Sequence, residues 1–208
     1  MGTRFLAMRR WLGAMFAVVA LIPSLLVQPG MAQPTSEQAR DLVQTIGAEV
    51  LDVLQNDSLT RDRKIDRLIA LLEGPIDLDL VARLILGRYW RAASEEQRQE
   101  YLRLFRAFAL DSLASKLHVY QGQEFEVTGA RVVSDDDAVV STRILSPDRP
   151  PLDVDWRLRQ RDDGNLVAID VIVAGVSLIV TQRSEFGAVV ERQGVEGLLC
   201  ELRQRVRA

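Results

Sequence analysis

The period of the hydrophobic pattern changes twice along this chain of 208 residues, and each change narrows the folds open to it. Up to about residue 120, apolar side chains return every three or four positions, as on helices with one buried face. From Phe125 to Val173 the period falls to two, and after Gly175 the helical spacing returns. Helices, then strands, then helices again predict an α+β domain with a curved antiparallel sheet of four strands and the N-terminal and C-terminal helices packed over one of its faces.

Within the first part, Ala39, Leu42, Val43, Ile46, Val50, Val53 and Leu54 share one helical face, and Thr35 with Gln38 reads as a capping box at its start. A second helix is predicted over 60–73 and stops at Gly74-Pro75. A third starts near Asp77 or Asp79 and ends at Gly87, and a fourth runs from a second capping box, Ser94 with Gln97, to about Tyr120. Between these two lies "LGRYWRAAS", residues 86–94, read as a hinge whose Tyr89 and Trp90 either cap a core or form a rim between an apolar cavity and water. Strands are expected at 125–133, 138–145, around 153–159 and 166–173, with an acidic turn at Asp135-Asp136-Asp137. Gly194 splits the last helical stretch into 177–193 and 195–206.

The N-terminus reads differently. Arg4, Arg9 and Arg10 precede an uncharged run from Trp11 to Ser36, and Gly30-Met31-Ala32 supplies small residues at a cleavage spacing. The run is long enough for a membrane anchor, but Pro23, Gln28, Pro29 and Gly30 break its second half. The expectation is a cleavable export signal peptide over 1–32 and a single domain over 33–208. Three of the 26 basic residues and none of the 29 acidic ones fall in the leader, which leaves a net charge near -6 and disfavours nucleic acid as a partner. Cys200 has no second cysteine to pair with and is read as a small core residue; His118 is the only histidine, so neither a catalytic triad nor a histidine-rich metal site can be assembled.

The segment "DLDLVARLILGRYWRAASEEQRQEYLRLFRAF", 77–108, resembles the signature region of the MlaC, or toluene-tolerance auxiliary, family of periplasmic phospholipid carriers. The likeness continues in "RPPLDVDWRL", "DVIVAGVSLIVTQRSEFGAVV" and "GVEGLLCEL", in the same order along the chain. The resemblance implies a cone related to nuclear transport factor 2, with acyl tails held between sheet and helices and phospholipid as cargo rather than cofactor. It also implies a shuttle that maintains outer-membrane lipid asymmetry, with two partners: an outer-membrane lipoprotein complex and an inner-membrane ABC transporter bearing an MCE-domain protein.

Such a carrier meets a physical need. Two acyl chains hold about 30 methylenes, whose exposure costs on the order of 24 kcal/mol, a barrier crossed roughly once a day. A useful cavity is therefore dry and about as apolar as a bilayer. Leu86, Tyr89, Trp90, Phe105, Phe108 and Leu117 from the helices, with Val154, Trp156, Leu158, Val171 and Val173 from the sheet, are the expected lining. No catalytic residue and no metal ligand is expected on this reading. Two alternatives stand beside it: an enzyme using Asp170, the one charge in an apolar strand, in a pocket of the same cone, and an envelope adaptor without ligand. A buried Asp170 needs a partner, for which Arg143 and Arg157 are candidates.

Overall fold

The computed structural model describes residues 33–116 and 122–207, so the leader read over 1–32, Leu117 and His118 lie outside the described residues. Helices α1 (Ser36–Gln55), α2 (Arg61–Leu72), α3 (Leu78–Leu86), α4 (Arg88–Ala92) and α5 (Glu95–Lys116) come first. Strands β1 (Glu124–Val132), β2 (Asp137–Ser146), β3 (Arg149–Gln160), β4 (Leu166–Val173) and β5 (Val176–Ser177) follow, and α6 (Leu178–Arg207) ends the chain.

Local chemistry sets the helix ends. Thr35 Oγ1 accepts from the Gln38 amide at 3.1 Å while the Gln38 side chain accepts from the Thr35 amide at 3.0 Å. Ser94 and Gln97 exchange the same two bonds at 3.2 and 3.1 Å. Asp77 caps α3 by accepting from the Leu80 amide at 2.9 Å, and Lys64 donates to the Leu54 carbonyl at 2.6 Å, placing a cation at the C-terminal end of α1. Gly87, at φ 56, turns the chain out of α3 directly into α4, so the segment read as a hinge is itself a five-residue helix. Gly194, at φ 71, breaks α6 where the split was expected.

The sheet is an antiparallel meander in the order β1-β2-β3-β4-β5. It has one strand more than expected, because Ala174 (φ 48) and Gly175 (φ 81) fold two residues back onto β4. Two residues are too few to carry a period. Register shifts between Val127 and Gly129 and between Arg157 and Leu158 bend the strands and curve the sheet. On the same outer edge of β4, the Ala168 amide donates to the Pro75 carbonyl at 2.7 Å, so the link between α2 and α3 bridges that edge at Ala168.

Register fixes the two faces. Val140, Trp156 and Val171 stand in one row across the strands, and Ala138, Leu158 and Ala168 in the next. Against this face lies α1, whose Ala39 and Val43 are buried with Ala138, Val140, Leu158 and Ala168. A second core is purely helical: Ile85 and Leu86 of α3, Tyr101, Leu104 and Phe105 of α5, and Phe186, Leu198, Leu199 and Leu202 of α6. Its Tyr101 hydroxyl donates to the Ala82 carbonyl at 3.0 Å, and burial pushes the phenol far above its ordinary pKa.

Asp137, read as the last residue of an acidic turn, instead opens β2 and is only 2% exposed. Arg157 donates to it at 2.6 Å and Arg159 at 2.7 Å, both from β3. Burial pushes this carboxyl up, but the two guanidinium groups outweigh it and hold the pKa below the usual carboxylate range. A depressed folded pKa stabilises fully above the unfolded value of about 3.9 and less as pH falls through the folded one. Asp137→Asn is therefore expected to cost about 1–2 kcal/mol at pH 7, the low end for charged hydrogen bonds because both arginines are partly solvated. Urea titrations at several pH values check this: the gap between variant and parent narrows below pH 4.

Candidate functional site

A cavity of about 750 Å³ opens between α1 and the apolar face of the sheet. At the start of α1, small Ala39 is fully buried in one cluster with Ala138, and the helix sits close to the strands. Further along, Leu42, Ile46, Val50 and Leu54, one helical turn apart, remain only half-buried and form one wall. Phe125, Ile144, Leu152, Trp156, Leu158 and Ala168 form the opposite wall, and Leu72, Pro75 and Ile76 border the cavity from the link after α2.

The wall keeps its few inner polar groups occupied. Trp156 Nε1 donates to Thr142 Oγ1 at 3.0 Å, and that hydroxyl donates to the Val154 carbonyl at 2.8 Å. What remains facing the hollow on this side is ring and aliphatic surface, suited to hydrocarbon.

Gly47 explains itself here. Glycine inside a helix costs about 0.5–1 kcal/mol against alanine, yet a Cβ at this position would come within 2.4 Å of the Phe125 ring. The missing side chain lets that ring approach α1 closely. Gly47→Ala is expected to push the ring into the cavity, so thermal stability changes little while ligand capacity falls; melting curves and bound-ligand counts on one preparation separate the two effects.

Of the residues singled out in the sequence, Trp156 and Leu158 lie in the cavity wall. Val154, Val171 and Val173 occupy the same sheet face in register with them but stand outside the wall. Leu86 and Phe105 are buried in the helical core, and Tyr89, Trp90 and Phe108 pack against it. The reason is long-range: α5 turns its rings toward α6, where Phe186 lies 6.3 Å from Tyr101 and 6.1 Å from Phe108. Tyr89 donates to Glu191 at 2.9 Å and accepts from Arg88 at 2.7 Å, while the Trp90 ring has Arg83 at 5.2 Å and Arg98 at 5.5 Å. Those two rings thus pin α4 to its neighbours.

Asp170 is likewise accounted for. It accepts from the Ser177 hydroxyl, from the Ile179 amide at 3.1 Å and from its neighbour Val171, so its partner is the start of α6 rather than Arg143 or Arg157. Arg143 instead bonds Asp153 at 2.9 Å. Cys200, expected in the core, is exposed on the outer side of α6. Among the described residues no group of three His, Cys, Asp or Glu side chains is placed to hold a metal ion, and no helix is long and apolar enough to cross a membrane.

The wall residues that sequence reasoning missed are those of α1, with Phe125, Ile144 and Leu152. Two signals pointed to those of α1: four apolar residues spaced four apart, Leu42, Ile46, Val50 and Leu54, and a glycine inside an otherwise well-formed helix.

The family model described as MlaC protein matches residues 44–204. The intermembrane phospholipid transport system binding protein MlaC of Haemophilus influenzae is 21% identical over 133 residues, an alignment that spans 62% of this chain and 62% of that relative. Among solved structures, a phospholipid-binding protein from Ralstonia solanacearum, determined in complex with a phospholipid, superposes with a TM-score of 0.72 at 24% identity, over 81% of this chain and 97% of the other. That likeness concerns the fold. The family match, running from within α1 to the last turns of α6, goes further, and this chain belongs to the MlaC family.

Proposed function

We propose that this protein is a phospholipid carrier whose cargo tails occupy the cavity between α1 and the sheet. The observation that carries this reading is the cavity itself: a hollow of about 750 Å³ in a protein interior that ordinarily packs without voids, with aliphatic and aromatic walls. The names of the Haemophilus relative and of the Ralstonia structure support the same ligand class. A lining as apolar as a bilayer lets tails enter and leave with little net change in free energy, which is what a shuttle requires.

On this reading residues 1–32 are an export leader, the protein works in the periplasm, and lipid is handed between an outer-membrane lipoprotein complex and an inner-membrane ABC transporter with an MCE-domain protein, in the service of outer-membrane asymmetry. Carriage needs no covalent step. The reading of Asp170 as a catalytic carboxylate loses its support, since its oxygens are engaged at the start of α6 and it stands outside the cavity wall.

The test is to purify the secreted protein, extract it with organic solvent and quantify what is released by mass spectrometry. Phospholipid approaching one molecule per chain is expected. Protein that stays empty after incubation with phospholipid vesicles overturns the proposal.

A further inference from the structure

The hollow has one closed end and one open end. Along the sheet its wall runs from the pair Ser146–Arg149 to the pair Leu158–Ala168, about 25 Å at the rise of a strand. At the second pair Ala39, Val43 and Ala138 are buried in one cluster, and among the described residues no charged side chain stands in the wall there. At the first, Arg149, Pro150 and Leu152 are exposed. One leaflet of a bilayer holds its tails in about 15 Å of hydrocarbon, so the wall is deep enough for tails whose polar end stays at this mouth.

Arg149 reaches the inner face through a slip of register. Strict alternation from Leu158, Trp156 and Leu152 turns the even-numbered residues of β3 inward and would turn Arg149 outward. The pairing shifts after Ile144, however, so that Ile144 stands opposite Leu152 and Ser146 opposite Arg149. Ile144 and Ser146 are two apart on β2 and share the face of the hollow, and residues directly opposite share a face, so Arg149 faces the same way. Glu124, opposite Leu145, and Arg143 belong to the outer face. The other arginines of β2 and β3 are engaged: Arg143 with Asp153, and Arg157 and Arg159 with Asp137. Neither Arg149 nor Ser146 makes an ion pair or side-chain hydrogen bond with another described residue.

Opposed side chains start about 5 Å apart at Cβ, close enough for a guanidinium and a hydroxyl to converge on one oxyanion. We infer that Arg149, with Ser146 opposite it, is a phosphate subsite at the mouth of the hollow and selects lipids that carry a phosphodiester there. The guanidinium donates two parallel N–H groups to the phosphate, and the serine hydroxyl donates a third bond. Diacylglycerol has the same tails and fills the hollow equally well, but it leaves both donors to water. The subsite is solvated, so the contact amounts to a preference of about fivefold.

This inference rests on the carrier reading, and one experiment separates their failures. Purified protein is incubated with vesicles of phosphatidylcholine that contain a minor share of diacylglycerol with the same acyl chains, then reisolated, and its lipid is extracted and quantified by class. Arg149→Gln is expected to lower the ratio of phosphatidylcholine to diacylglycerol about fivefold relative to the parent. Arg143→Gln removes the same charge from the outer face and leaves the ratio unchanged. Inorganic phosphate at the concentration of the vesicle lipid also leaves it unchanged, because the tethered phosphate alone has the affinity of the tails behind it. If free phosphate lowers the parent's ratio to that of Arg149→Gln, the subsite serves the free ion and the inference is overturned. Equal ratios for parent and Arg149→Gln, or equal falls in the two variants, overturn it while the carrier reading stands. A parent that takes up no lipid overturns both. Both arginines are exposed, and unchanged melting curves confirm that the variants are folded.

Discussion

Val50→Glu is expected to abolish lipid binding and leave the fold in place. Val50 sits midway along the α1 wall, half-buried and flanked one turn away by Ile46 and Leu54. With hydrocarbon in the hollow, a carboxylate there has no water to solvate it, and its neighbours one turn away, Ile46 and Leu54, are apolar. The effective penalty for such a charge is several kcal/mol, or at least a thousandfold in lipid affinity. Without ligand, water enters the hollow and hydrates the carboxylate, and glutamate is a better helix former than valine. The effect thus falls on the loaded form alone. Extraction and phosphorus assay should find lipid in less than about a tenth of the variant molecules, at a melting temperature close to that of the empty parent.

Phe186→Ala should do the reverse. Phe186 is 2% exposed at the centre of the helical core, with the Tyr101 ring edge-on at 6.3 Å. Truncating such a ring costs about 3–5 kcal/mol, a large part of the stability of an ordinary domain. For a chain of this size that lowers the melting temperature by roughly 6–20 °C. No atom of this residue faces the cavity, so lipid per folded molecule should be unchanged at temperatures well below the transition. Calorimetry and extraction on the same sample read both quantities, and loss of lipid from the folded variant would place the ligand in the helical core instead.

This separation into a helical core and an apolar cavity was the least legible part of the sequence. Both surfaces are apolar and helical, and a period says that a residue points inward without saying toward what. Phe105 and Phe108 read as natural lining, yet they meet α6, whose sequence lies some eighty residues away. Local features were legible because their causes are local. The capping boxes at Thr35 and Ser94, the cap at Asp77 and the break at Gly194 each depend on a few neighbouring residues. The alternation of Val154, Trp156 and Leu158 gave the correct inner face of β3 for the same reason.

Where a local pattern competed with a distant partner, the partner won. Three aspartates in a row read as an acidic turn, but Arg157 and Arg159 draw the last of them into β2. Asp170 sits among apolar neighbours and looked like a site, and its partners arrive only when β5 folds back and delivers Ser177. Gly47 carried the opposite kind of information. Its cost to α1 is local, and its justification is a ring on β1 far along the chain.

The most direct measurement is to load the protein with phospholipid bearing a photoactivatable carbene precursor in the acyl chain, irradiate, and map the labelled peptides by mass spectrometry. The cavity between α1 and the sheet predicts label on Ile46, Val50 and Leu54 and on Trp156 and Leu158 of β3. Label confined to the helical core around Leu86, Phe105 and Phe186, or bound lipid that labels none of the α1 wall, would contradict it.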